Sequence, residues 1–192
     1  MLTRKKDAEY RDRTYLRPEE IDKLVRTAKE RGRYGLRDAL AITMAFRHGL
    51  RASELVSLRW RQIDFTSKPV HLAVQRLKGS VNSTQPVKGD ELRMLREWRR
   101  EQAEGWEDLI LTTERGTGWT VGGFRRMLQR AAEACELGVA VHPHMLRHSA
   151  GFALADRGRD LREVQAFLGH KNVSNTTRYV ELRPGRLDRI WD

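Results

Sequence analysis

The stretch HPHMLRHSAGFALADRG, residues 142–158, sets His142, His144, Arg147 and His148 close together and follows them with an apolar run. His144, Arg147 and His148 stand at i, i+3 and i+4, so one face of a helix presents all three. Such a face can hold a metal ion, hold a phosphate, or sit in solvent as the charged start of a helix. Zinc would use His144 and His148 as an i, i+4 pair. The helical metalloprotease pattern puts glutamate directly after the first histidine, and here that place is Met145. No cysteine pair or neighbouring carboxylate completes a set, and Arg147 would place a fixed positive charge beside the ion, so no metal is expected. Phosphate fits better. A guanidinium offers two parallel donors to its oxygens, and a neutral imidazole donates or accepts one further proton.

Three other segments carry residues of the same chemistry. GLRASEL, residues 49–55, places Arg51 just before a short helix. RLKGS, residues 76–80, places Lys78 at a turn, and FLGHKNVSNTTRYV, residues 167–180, places His170 after a glycine and Tyr179 nine residues later. Taken singly, each has an ordinary reading: a solvated arginine, a lysine in a turn, a half-packed tyrosine.

The elements that must position these residues are mostly helical. Pro18 opens a helix, with Glu19 and Glu20 at the positive end of its dipole and Ile21, Leu24, Val25 and Ala28 as its apolar stripe. A second helix is expected from Arg37 to His48, stopped by Gly49, and a third capped by Ser53 and running to Leu58. Val70, Leu72 and Val74 then alternate with polar or small residues, KGSVNST reads as a turn, and TQPVK as a returning strand. Helices are expected at 90–102, with Leu92, Leu95 and Trp98 inward, and at 120–136, 144–157, 160–168 and 174–182, with Leu109–Thr112 extended. The fold class is therefore α+β, mostly α-helical with a small antiparallel sheet. Residues 1–15 read as a polar arm and 16–192 as one domain.

Composition narrows the partner. The 192 residues carry 37 Lys and Arg against 26 Asp and Glu, a formal charge of +11, which favours a polyanion. No apolar run approaches the roughly 20 residues that span a bilayer, and the N-terminus lacks the apolar stretch of a secretory signal. A membrane partner is not expected. Cys135 is the only cysteine, so no internal disulfide forms, which accords with a cytoplasmic, nucleoid-associated location.

In their order along the chain, GLRASEL, RLKGS, HPHMLRH, LGH and Tyr179 resemble the tyrosine recombinase (phage integrase) family, over nearly the whole length from residue 16. HGLRASEL, HPHMLRHSAGFALA and the closing GRLDRIWD resemble the short fimbrial-switch invertases within it, which also lack the separate N-terminal core-binding domain of most members. The resemblance implies roles. Arg51 and Arg147 hold the non-bridging oxygens of a DNA phosphodiester, and His170 adds a hydrogen bond. Tyr179 attacks phosphorus to give a 3′-phosphotyrosine, and the ester energy is kept in the covalent link, so no cofactor is required. His144 is the base for the phenol, directly or through water, and Lys78 the acid for the departing 5′-oxygen, with Lys88 as a substitute. His148 fills the histidine position beside the second arginine. Glu54 either orients Arg51 or caps the helix start.

Double-stranded DNA is the implied partner, with self-association into a tetramer on synapsed DNA and accessory DNA-bending proteins beside it. Arg125, Arg126 and Arg130, on the helix at 120–136, are the expected DNA-binding residues. The leading function is site-specific recombination, by inversion or by integration and excision. Two alternatives use the same fold: a type IB topoisomerase-like nicking and closing enzyme, and a DNA-binding regulator without catalysis.

Overall fold

The computed structural model describes residues 13–76, 80–102 and 108–181. Lys78, Trp106, Trp191 and residues 1–12 of the arm lie outside the described residues.

Helix α1 (Pro18–Glu30) begins where expected, and Glu20 reaches back to accept from the Arg17 backbone N–H at 2.7 Å. Its buried stripe of Ile21, Leu24 and Ala28 packs on α2 (Gly35–Arg47). Every residue from Ala39 to Ala45 of α2 is buried, so this helix forms the centre of the domain. The next helix, α3 (Ala52–Val56), differs from expectation at its start. Arg51, not Ser53, is the N-cap, because Glu54 supplies the capping carboxylate from within the first turn.

The sheet has three strands in the order β1 (Ile63–Asp64), β2 (Val70–Val74) and β3 (Ser83–Val87), antiparallel throughout. Val70 pairs with Val87 and Val74 with Ser83. Val70, Leu72 and Val74 face the core, as strand alternation requires. Helix α4 (Gly89–Glu101) buries Leu95 and Trp98 as expected, together with Glu91 and Met94, while Leu92 is only half-buried. The Trp98 indole N–H donates to the Ile110 carbonyl at 2.6 Å, and residues 109–112 pass through the core as an extended piece.

Helices α5 (Val121–Ala134), α6 (Pro143–Asp156), α7 (Leu161–Leu168) and α8 (Ser174–Glu181) complete the described residues. α5 is capped by Thr120, whose hydroxyl accepts from the Gly123 N–H at 3.0 Å, and its Phe124, Met127, Leu128 and Ala131 face inward. α6 is buried on nearly all sides from Met145 to Phe152, Arg147 and His148 included. A helix so enclosed must find partners for its polar groups. Residues 13–16 pack against it: Leu16 donates its N–H to the Ser149 hydroxyl at 2.8 Å, and the Tyr15 ring lies 4.0 Å from that of Phe152.

Candidate active site

Arg51, His144, Arg147, His148, His170, Asn175 and Tyr179 line one pocket of about 200 Å³. Four local structures deliver them. Arg51 projects from the start of α3, His144, Arg147 and His148 from one face of α6, His170 from the turn after α7, and Tyr179 from α8. Gly169 adopts φ +68, a left-handed conformation that glycine takes freely, and so ends α7 and turns His170 inward.

Arg147 is held from both sides. One Nη donates to the Gly49 carbonyl and the other to the Leu168 carbonyl at 2.7 Å, so this buried side chain ties the box before α3 to the turn after α7. Burial, with the charges of Arg76 and Arg51, lowers its pKa to about 10, which leaves it charged at neutral pH. Arg51 is half-buried and donates from Nη1 to Glu54 Oε1 at 2.6 Å. The other Glu54 oxygen accepts from the Arg51 backbone N–H at 2.9 Å, so Glu54 orients the side chain and caps the helix together. Burial disfavours the Glu54 charge, yet the Arg51 backbone bond, the Arg76 charge and the bonds from both guanidiniums hold its carboxyl below the usual range.

His170 lies at the centre of these charges. Burial first, then Arg147, Arg51, Arg76 and His144, push its pKa from 6.5 down to about 4, so the ring is neutral at physiological pH. Its Nδ1 meets the buried Thr176 hydroxyl at 2.9 Å. When that hydroxyl donates to Nδ1, the ring proton sits on Nε2, free to donate to an anion.

Tyr179 is 1% exposed. Its hydroxyl is 2.8 Å from Nδ1 of His148, and the His144 ring stands edge-on to His148 at 4.4 Å. The phenol therefore lies in the same pocket as Arg51 and Arg147 of its own chain.

Expectation from sequence missed Arg76, Asn175 and Thr176. Arg76 is buried and bonds Glu54 Oε2 at 2.8 Å, Gly49 O at 3.1 Å, His48 O at 2.9 Å and Phe167 O at 2.8 Å. It continues the inward phase of Val70, Leu72 and Val74, which was the signal available. Lys78 itself is outside the described residues, but Ser80 beyond it accepts from Arg51 at 3.3 Å, so the hairpin reaches the pocket edge. Arg125, Arg126 and Arg130 are exposed on α5. They separate in space: Arg125 acts on His142 at the start of α6, whereas Arg130 acts on Asp38 in the first turn of α2. Among the described residues no cluster of three His, Cys, Asp or Glu side chains is placed to hold a metal.

Residues 14–186 match the family model described as the phage integrase family. The chain belongs to that family. The type 1 fimbriae regulatory protein FimE of Escherichia coli K12 is 32% identical over 185 residues, covering 94% of this chain and 91% of FimE. FimB of the same strain is 32% identical over 191 residues, covering 98% of this chain and 94% of FimB. The crystal structure of the XerH site-specific recombinase bound to difH superposes with a TM-score of 0.78 at 23% identity, over 95% of this chain and 55% of XerH. This chain thus spans about half the length of that solved relative, and the likeness fixes the fold. The integrase-family chain is a tyrosine site-specific recombinase.

Proposed function

We propose that this recombinase breaks and rejoins duplex DNA through a 3′-phosphotyrosine at Tyr179, and that inversion of a segment between two sites is its outcome. The observation that carries the chemistry is one pocket, within one chain, that gathers Arg51, Arg147, His170 and Tyr179. A phosphodiester already bears a negative charge, and attack on phosphorus builds more on the non-bridging oxygens. Fixed donors aimed at those oxygens stabilise that charge most where water is excluded. Arg51 and Arg147 are such donors, and neutral His170 adds one N–H. The phenol proton leaves by way of the α6 histidines, with His144 at the exposed end. Lys78 protonates the departing 5′-oxygen.

The net charge of +11 supports a DNA partner. XerH is bound to its difH substrate, and the likeness to FimE and FimB along most of their length supports inversion. Exchange of two duplexes requires four strand breaks, so four protomers assemble on synapsed DNA. Accessory DNA-bending proteins bring the sites together, and the enzyme acts on the cytoplasmic nucleoid.

The test is a nicked suicide substrate carrying the cognate site. Wild type should accumulate a covalent protein–DNA adduct mapping to Tyr179, and Tyr179→Phe should form none. Absence of an adduct from wild type on a proven site would leave a DNA-binding regulator, and relaxation of any supercoiled plasmid regardless of sequence would leave a topoisomerase.

A further inference from the structure

We propose that His148 is the catalytic base of strand cleavage, taking the phenolic proton of Tyr179 directly on Nδ1, while His144 exchanges that proton with solvent. This rests on the reading of Tyr179 as nucleophile and assigns the group that activates it. A general base must lie within about 2.6–3.2 Å of the proton's heavy atom, and His148 Nδ1 is 2.8 Å from the Tyr179 oxygen.

The contact is built into α6. The Tyr179 ring packs against Gly151, where a Cβ would come within 2.8 Å of Cε2 and Cζ, and lies edge-on to Phe152 at 5.1 Å. His148, Gly151 and Phe152 are i, i+3 and i+4 of one helix, so a single rigid face supports the ring and meets its hydroxyl. His148 is 8% exposed, and His144 one turn earlier is open to solvent, its ring 4.4 Å from that of His148. The buried histidine touches the reacting oxygen, and the exposed one leads outward.

The Tyr179 O–H bond breaks as N–H forms on Nδ1, with the other ring proton on Nε2. The phenolate oxygen bonds to phosphorus, the P–O5′ bond breaks, and the 5′-oxygen takes a proton from the acid assigned to Lys78. Rejoining reverses this. The 5′-hydroxyl returns its proton to that amine as it attacks, and the leaving tyrosine oxygen recovers its own from the His148 imidazolium. An unassisted phenol, with a pKa of about 10, would be almost wholly protonated at neutral pH.

Single-turnover cleavage of the suicide substrate by the full chain, from about pH 6 to pH 9, tests the assignment. The informative variant is His148→Asn, because the Asn amide occupies the place of Nδ1 and keeps a hydrogen bond to the phenol but accepts no proton. Expected are retained DNA binding and a rate lowered by about 10²-fold or more. The rate should also climb about tenfold per pH unit across the range, as the phenol ionises unaided, while wild type levels off. Imidazole added to His148→Ala should restore part of the rate. His144→Ala should lose less and keep the wild-type profile. Cleavage by His148→Asn at the wild-type rate and with the wild-type profile would overturn the proposal, as would the log-linear profile appearing in His144→Ala instead. Failure of the nucleophile assignment would look different: wild type would give no adduct, or Tyr179→Phe would give one.

Discussion

Arg76 and Arg147 donate to the same carbonyl, that of Gly49, from two different places in the fold, two residues beyond β2 and within α6. They meet again across the cleft at consecutive carbonyls, Arg76 on Phe167 at 2.8 Å and Arg147 on Leu168 at 2.7 Å. Two buried guanidiniums thus run side by side between the loop that carries Arg51 and the turn that carries His170. Among the described residues Glu54 is the carboxylate bonded to this cluster, shared by Arg51 and Arg76. Three cations against one anion leave an excess of positive charge, which a bound phosphodiester offsets. The arrangement is costly without substrate and favourable with it.

Arg76 should therefore matter for both fold and rate. Arg76→Met removes one of the two guanidiniums on the buried Glu54 carboxylate and leaves Arg51 to hold it, and breaking a buried pair costs up to about 3–5 kcal/mol. Arg76→Lys keeps the charge but cannot span the carbonyls of His48, Gly49 and Phe167 together. Urea denaturation should show a large loss for Met and a smaller one for Lys. Adduct formation should fall in Arg76→Lys more than DNA affinity does, because the hairpin leading to Lys78 loses its anchor.

Arg76 also shows why part of the site was not legible in the sequence. Arg51, Arg147, His170 and Tyr179 each had an ordinary reading taken singly, and it was the resemblance of their segments, in chain order, to the phage integrase family that marked them out. Helix and strand placement followed from apolar periodicity and held to within a few residues. The buried polar residues behind the site were hidden because type and phase disagree there. Arg76 in β2's phase, Gln85 in β3 and Glu91 in α4 read as surface by type but point inward by period. They join a network only folding assembles: His48 Nδ1 meets Gln85 and Nε2 meets Glu91, each at 2.8 Å, and the Gln85 amide donates to Phe167 O at 3.0 Å. The same blindness placed the α3 cap on Ser53, because a capping glutamate three residues inside makes a hydroxyl at the cap unnecessary.

His170 predicts a pH dependence of definite sign. Its folded-state pKa is depressed to about 4 from 6.5, chiefly by burial and then by the arginines. Between those values the unfolded chain binds more protons than the folded one, so this group's contribution to stability rises with pH through the window and is lost as pH falls. Denaturant midpoints should increase from about pH 4.5 to pH 7, and His170→Gln should flatten part of that rise. A DNA phosphate beside the ring favours the imidazolium, so specific binding near pH 5 should take up protons in wild type and not in His170→Gln.

Arg125 and Arg130 should differ in their DNA contacts. Asp38, next to Arg130, lies in the first turn of α2, whose other end leads into Gly49 and Arg51. At 1.5 Å per residue that separation is about 15 Å along the helix. Arg125 instead lies by His142, where α6 begins. Arg125→Ala should lower the slope of log affinity against log salt by about 0.9, the loss of one neutralised phosphate. Arg130→Ala should leave the slope unchanged. Equal slopes for wild type and Arg125→Ala would remove the phosphate contact from that residue.

Gly151 is the residue where stability and activity should part. Glycine in a helix interior costs about 1 kcal/mol relative to alanine, and α6 is a buried central helix that gains nothing from the flexibility. What Gly151 provides is room for the Tyr179 ring, whose Cδ2, Cε2 and Cζ would lie 2.8–2.9 Å from an added Cβ. Gly151→Ala improves helix propensity and expels the ring from its seat. Displacing a reacting group by about 1 Å can cost about 10²-fold in rate, so adduct formation should fall by that order while DNA binding persists. Chemical modification of tyrosine should detect a newly accessible Tyr179 in the variant. Cleavage at the wild-type rate with only a gain in melting temperature would mean that the ring leaves this seat before it reacts, and that the His148 contact belongs to a resting position.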